Sequence, residues 1–121
     1  MIPRKYGRIV NVSSVAAEGG YRLRGAYGVA KAGVISLSQT LAAETAGYDI
    51  TVNAICPRAI AGLRLDTIRD QFGAYLEAHG AESLPASRLP PAMPAEDVAE
   101  TIAFLLSPAG KRINGQAIAI G

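Results

Sequence analysis

Apolar residues follow two periods along the chain. The run Gly-Arg-Ile-Val-Asn-Val-Ser from Gly7 to Ser13 is short, rich in β-branched residues and bounded by Gly and Ser, which is the pattern of a buried strand. A connector bearing Gly19, Gly20 and Gly25 follows. From Ala26 to Ala46 there is no proline, and Val29, Ala30, Val34, Leu37, Leu41 and Ala42 recur at steps of three and four. A long helix with an apolar stripe that lies on a sheet is predicted there, ended by Gly47. Asp49 to Ile55 reads as a second strand, stopped by Pro57.

The least regular stretch runs from Arg58 to Pro94, where a helix is predicted within Leu65 to His79. Pro85, Pro90, Pro91 and Pro94 forbid a continuous one. Pro94-Ala95-Glu96-Asp97 opens another helix, because proline suits the first turn and acids there suit the helix dipole. Val98, Ile102, Leu105 and Leu106 form its expected apolar face, Ser107-Pro108 ends it, and Gln116 to Ile120 is a third strand-like run. Strand, helix, strand, helix, strand implies an α/β fold with right-handed crossovers and a parallel sheet. Three strands make a narrow sheet with two open edges, so residues 1–121 are expected to form a single, incomplete domain of a larger doubly wound architecture, with a variable segment at about 62–94.

Composition narrows the function classes. The formal charge of +2, from 12 basic and 10 acidic residues, is scattered along the chain, which argues against nucleic acid as a partner. The cluster Arg4, Lys5 and Arg8 reads as a solvated flank of the first strand. One cysteine, Cys56, allows no internal disulfide and suits a reducing compartment, while the single His79 cannot build a metal site. No run approaches the roughly 18 apolar residues of a membrane span, and the start has no signal pattern. The expectation is a cytoplasmic protein with no metal and no membrane partner.

In open parallel sheets, ligands bind beyond the carboxyl ends of the strands. Ser13 and Ser14 follow the first strand there, and Cys56-Pro57-Arg58 follows the second. Tyr27 and Lys31, four residues apart near the start of the intervening helix, share one helix face. A phenol holds its proton too firmly for easy exchange at neutral pH, and a neighbouring ammonium favours the phenolate, so Tyr27 beside Lys31 suits a general acid or base. Ser14 suits a hydrogen-bond donor to a substrate oxygen that gains negative charge. Cys56 reads as a buried strand-end residue, and His79 as exposed.

Taken together, Gly-Arg-Ile-Val-Asn-Val-Ser-Ser (7–14), Tyr-Gly-Val-Ala-Lys-Ala-Gly-Val (27–34), Val-Asn-Ala-Ile-Cys-Pro (52–57) and Asn-Gly-Gln (114–116) resemble the short-chain dehydrogenase/reductase family over nearly the whole chain. The resemblance implies a partial Rossmann-like doubly wound sheet. It implies Ser14, thirteen residues before Tyr27, as the active serine, with Tyr27 and Lys31 completing the catalytic set. It also implies NAD or NADP as cofactor, held by Tyr27 and Lys31 at the nicotinamide ribose and lined by Pro57, Arg58 and Ile60.

The family's first half, with its Gly-rich dinucleotide-binding turn, has no counterpart here. Gly19-Gly20 lies after the active serine instead, and the family's tetrad asparagine has no equivalent, since Asn11 lies inside a strand. After Pro57 the run is Arg58-Ala59-Ile60-Ala61-Gly62, which lacks the threonine that reaches the nicotinamide amide in the family. Two functions follow from the resemblance: an oxidoreductase reducing a carbonyl or oxidising a secondary alcohol, or an inactive fragment serving as an oligomerisation module. Either one pairs with a second copy through the 26–46 helix.

Overall fold

The computed structural model describes residues 1–80 and 91–121. The run 81–90, which holds Pro85 and Pro90, lies outside the described residues. Contacts divide the chain into two compact units, Met1–Arg58 with Glu96–Gly121, and Ala59–Ala95.

The first unit is built on a parallel sheet of order β1-β2-β3, formed by β1 (Tyr6–Val12), β2 (Asp49–Pro57) and β3 (Ala117–Ile120). The α/β class and the parallel sheet expected from the sequence are both present. β2 is central and is buried from Ile50 to Pro57, as a parallel strand flanked on both edges must be. It runs two residues further than the sequence reading allowed. Ala54 and Arg58 give their N–H groups to Gln116 and Ile120, so the N–H that Pro57 lacks belongs to the β1 side, where the ladder has already ended at Val12↔Ile55.

The α1 helix (Gly25–Glu44) connects β1 to β2. It ends at Glu44 with Thr45 as its cap and not at Gly47, and beyond Thr45 the i−4 pattern gives way to tighter turns in which the Ala46 N–H bonds Ala43 O and the Tyr48 N–H bonds Thr45 O. Its sheet-facing stripe also differs from the expected one. Ser38 and Ala42 are buried, and Leu41 and Ala42 pack with Ile9, Ile50 and Val52, whereas Val29 is 76% and Leu37 55% exposed. The fully buried hydroxyl of Ser38 is satisfied by donating to Val34 O (2.7 Å) and accepting from Asn11 Nδ2 (2.9 Å), so a polar residue occupies the seam without an orphaned group.

Arg8 corrects the reading of the basic cluster as solvated. Its side chain is 7% exposed, donates to Asp49 Oδ1 at 2.9 Å and to the Asp49 carbonyl at 2.8 Å, and lies 4.7 Å from the centre of the Tyr6 ring. This clamp joins the amino ends of β1 and β2.

The third strand is tied on by side chains distant in sequence. Asn53, with no exposed surface, donates through Nδ2 to Ile113 O (2.8 Å) and accepts at Oδ1 from Gln116 N (3.0 Å). Asn114 Oδ1 accepts from Val52 N (2.8 Å), and Gly115, at φ +70°, gives its N–H to Val52 O (2.9 Å). Only glycine adopts that left-handed geometry at no cost, which is why the turn reads Asn-Gly. The preceding α3 helix (Ala95–Leu106) buries Val98 and Leu105, seven residues apart on one face, while Leu106, expected on that face, is exposed.

In the second unit, α2 (Leu63–Ala78) starts after Gly62 and carries Leu65, Ile68, Phe72 and Leu76 half-buried along one side. Tyr75 stacks on His79, the residue that caps the helix, with ring centres 4.1 Å apart. Ile60 forms an isolated parallel bridge to Met93, closed by Ala61 N to Met93 O and Met93 N to Ala59 O, each 2.8 Å. This bridge joins the two ends of the segment that contains α2.

Candidate active site

The carboxyl ends of β1 and β2 meet where Ser13 N donates to Ile55 O at 2.7 Å. The chain then turns into a short 3-10 helix, Val15–Glu18, capped by Ser14, whose Oγ accepts from Ala16 N at 3.2 Å. A serine that caps as an acceptor keeps its own hydroxyl proton for another oxygen. Ser13 differs in this respect. It is buried, and its hydroxyl donates to the Lys31 carbonyl at 2.8 Å. Of the two serines, Ser14 is the one with a proton to offer.

The 3-10 helix packs against the start of α1. A Cβ on Gly28 would stand 2.9 Å from Ala16 O, so the backbone carrying Ser14 and the turn carrying Tyr27 touch at a position where glycine gives the room. Tyr27 is 36% exposed. One turn on, Lys31 Nζ lies 5.8 Å from the Tyr27 ring centre and donates to Val12 O, the last carbonyl of β1, at 2.9 Å. The ammonium is therefore held between strand end and phenol ring, with two N–H donors left for a ligand. The Arg24 guanidinium carbon is 5.7 Å from the same ring centre. Spacing on the helix predicted the Tyr27–Lys31 proximity. Arg24 was missed, although its place three residues before Tyr27 is the same kind of signal.

Pro57 closes β2 and is buried, and Arg58 follows it exposed, its N–H bound to Ile120 O at 3.1 Å. Ile60 belongs to the second unit and is described there. A shallow apolar hollow of roughly 420 Å³, lined by Met1, Ile2, Pro3, Ile9, Thr45 and Ile50, lies instead at the amino ends of β1 and β2.

Cys56 is buried at the edge of this region. Burial pushes its thiol above the ordinary value, hydrogen bonding with the Ser13 side chain and the Ser14 backbone opposes this, and the nearby Glu18 carboxylate adds to the rise. The thiol stays protonated and inert at neutral pH. A thiol reagent such as dithionitrobenzoate is expected to modify Cys56 only as fast as the chain unfolds. Rapid labelling of the native protein would contradict that assignment.

Among the described residues no helix is long and apolar enough to cross a membrane. The family model described as "Enoyl-(Acyl carrier protein) reductase" matches residues 1–121. The short-chain dehydrogenase/reductase aba4 of Botryotinia fuckeliana is 39% identical over 114 residues, which are 94% of this chain and 44% of that protein. The 3-oxoacyl-(acyl-carrier-protein) reductase FabG of Haemophilus influenzae is 36% identical over 115 residues, 95% of this chain and 45% of that one. Among solved structures, the F189W actinorhodin polyketide ketoreductase with NADPH superimposes with a TM-score of 0.84 at 27% identity, covering 99% of this chain and 48% of that chain. The chain thus spans about half the length of the proteins it matches. A family model that matches it from end to end, reductases aligned over nearly all of it, and the tyrosine and lysine held on one helix turn at the strand ends lead to one conclusion: the chain belongs to the short-chain dehydrogenase/reductase family.

Proposed function

We propose that this chain carries the proton-transfer and ribose-holding machinery of an NAD(P)-dependent oxidoreductase, with Ser14, Tyr27 and Lys31 as its catalytic residues. The observation that carries the reading is the Lys31 ammonium, anchored on Val12 O at 2.9 Å and 5.8 Å from the Tyr27 ring centre.

The residues present fit the ribose end of the cofactor. The two remaining N–H donors of Lys31 and the Tyr27 hydroxyl suit the hydroxyls of a ribose, and Pro57 and Arg58, at the end of β2, are proposed to line the nicotinamide. Bound there, the reduced nicotinamide supplies hydride to the substrate carbon. Tyr27 gives its proton to the carbonyl oxygen, so that carbonyl, hydride and proton together make the alcohol. Ser14 donates a hydrogen bond to that oxygen as its charge grows, and the Lys31 ammonium stabilises the phenolate left behind. In the reverse direction Tyr27 takes the alcohol proton. The relatives' names support a small carbonyl compound as substrate, and a 3-oxoacyl thioester is the probe of choice.

Titrating the protein with NADPH and with NADH, and following nicotinamide fluorescence, tests the reading. Saturable binding weakened at least tenfold by Lys31→Ala is expected. No saturation with either nucleotide overturns the cofactor assignment.

The exposed apolar positions of α1 support pairing with a second copy. Val29 and Leu37 are 76% and 55% exposed, eight residues apart, and nothing lies within 4 Å of a Cβ placed on Gly33 between them. Such a strip allows close helix approach and is proposed as a self-association face. Sedimentation is expected to show a dimer or larger assembly that Val29→Lys with Leu37→Lys dissociates. A native monomer at high concentration would rule this out.

A further inference from the structure

Two cationic side chains lie by the Tyr27 ring. Arg24 lies three residues before it and Lys31 four after, with the guanidinium carbon 5.7 Å and the ammonium 5.8 Å from the ring centre. Among the described residues the phenol hydroxyl takes no hydrogen bond, and the side chain is 36% exposed, so contacts on the ring decide where the hydroxyl points. A side chain on the first turn of a helix has two accessible χ1 wells, and an exposed ring would exchange between them.

Lys31 is tethered to the end of β1 through Val12 O and contributes a fixed charge beside the ring. Arg24 contributes a second charge at the ring. Its guanidinium is planar and weakly hydrated, which makes it a better partner for an aromatic ring than an ammonium. We propose that Arg24 is a positioning residue for Tyr27, restricting the phenol to the orientation in which it serves the reacting oxygen. The proposal rests on the reading of Tyr27 as the proton carrier.

The main chain at Arg24 has its own hydrogen bond. The Arg24 carbonyl accepts the Gly28 N–H at 2.7 Å, and no side-chain hydrogen bond caps the helix at this residue. A substitution at Arg24 leaves this main-chain bond in place, and backbone amide shifts distinguish a lost ring contact from a disturbed fold.

The test is NMR of the protein carrying ring-¹³C tyrosine, with the Tyr27 signal assigned by its loss in Tyr27→Phe. Couplings that report χ1 are expected to show one rotamer in the native protein, averaging in Arg24→Gln, and intermediate behaviour in Arg24→Lys, with backbone amide shifts beyond the first turn of α1 unchanged. In turnover assays with a 3-oxoacyl thioester, Arg24→Gln is expected to lower kcat about two- to fivefold, the equivalent of one exposed cation–π contact, with KM for the nucleotide unchanged. An Arg24→Gln protein whose Tyr27 keeps a single rotamer, or whose loss lies wholly in KM, overturns the proposal. If Tyr27→Phe still removes turnover in that case, only the role of Arg24 has failed. If Tyr27→Phe and Lys31→Ala both leave turnover intact, the reading of the site has failed with it.

Discussion

Replacement of Tyr27 by phenylalanine is expected to lower turnover by about 10²–10⁴-fold while nucleotide affinity falls by less than about tenfold, the loss of one neutral hydrogen bond to the ribose. The change removes one oxygen and almost no volume, so the ring keeps its contacts with Arg24 and Lys31 and the helix turn is undisturbed. What is lost is the proton transfer itself, a step for which a positioned side chain contributes that range. Lys31→Ala should separate from this variant in a double measurement of kcat and nucleotide affinity. It removes the bond to Val12 O and the ribose donors together, so both quantities fall. Tyr27→Phe with near-native kcat would remove Tyr27 from the chemistry.

Asn53→Ala is expected to have the largest effect on stability, about 2–4 kcal/mol. Asn53 has no exposed surface, and its amide satisfies Ile113 O on one side and Gln116 N on the other, at 2.8 and 3.0 Å. Alanine leaves both backbone groups without that partner and opens space beside the central strand, and each lost partner costs roughly 1–3 kcal/mol. For a domain of this size the melting temperature should fall by roughly 10 °C, readable by circular dichroism. The effect should be accompanied by faster amide exchange in Ala117–Ile120, because Asn53 ties β3 to the sheet. A loss below about 1 kcal/mol would show that the β2–β3 ladder alone holds the strand.

Much of the fold was legible because each element has its own period. The β-branched run after Gly7, the proline-free stretch before Gly47 and the acid-rich opening at Pro94 mark β1, α1 and α3 within a few residues. The buried face of α1 was not legible, because apolar residues occur around its whole circumference and propensity cannot say which of them meets the sheet. Tertiary packing selected Ser38 and Ala42, and a serine becomes acceptable there only because Asn11 and the Val34 carbonyl complete its hydrogen bonds. Arg8 misled for the same reason. Its partner Asp49 is 41 residues away and no local pattern announces the pair.

At the site, the Tyr27–Lys31 spacing is a local signal and could be read directly, and so in principle could Arg24. The difference between Ser13 and Ser14 is not local. It depends on the carbonyl of Lys31 reaching back to Ser13 across 18 residues, which engages one hydroxyl and leaves the other available. The Asn-Gly-Gln segment likewise was visible only as part of a resemblance, and its physical role, closing the sheet through Asn53, depends on contacts 60 to 63 residues apart.

The most direct test of the central claim is isotopic. The protein is mixed with NADPH deuterated at the transferable C4 position and a 3-oxoacyl thioester, and the product is analysed by mass spectrometry. Deuterium at the new carbinol carbon, formed catalytically by the native protein and reduced at least a hundredfold by Tyr27→Phe, is the predicted result. Product without deuterium, or labelled product formed equally well without the Tyr27 hydroxyl, would contradict the account.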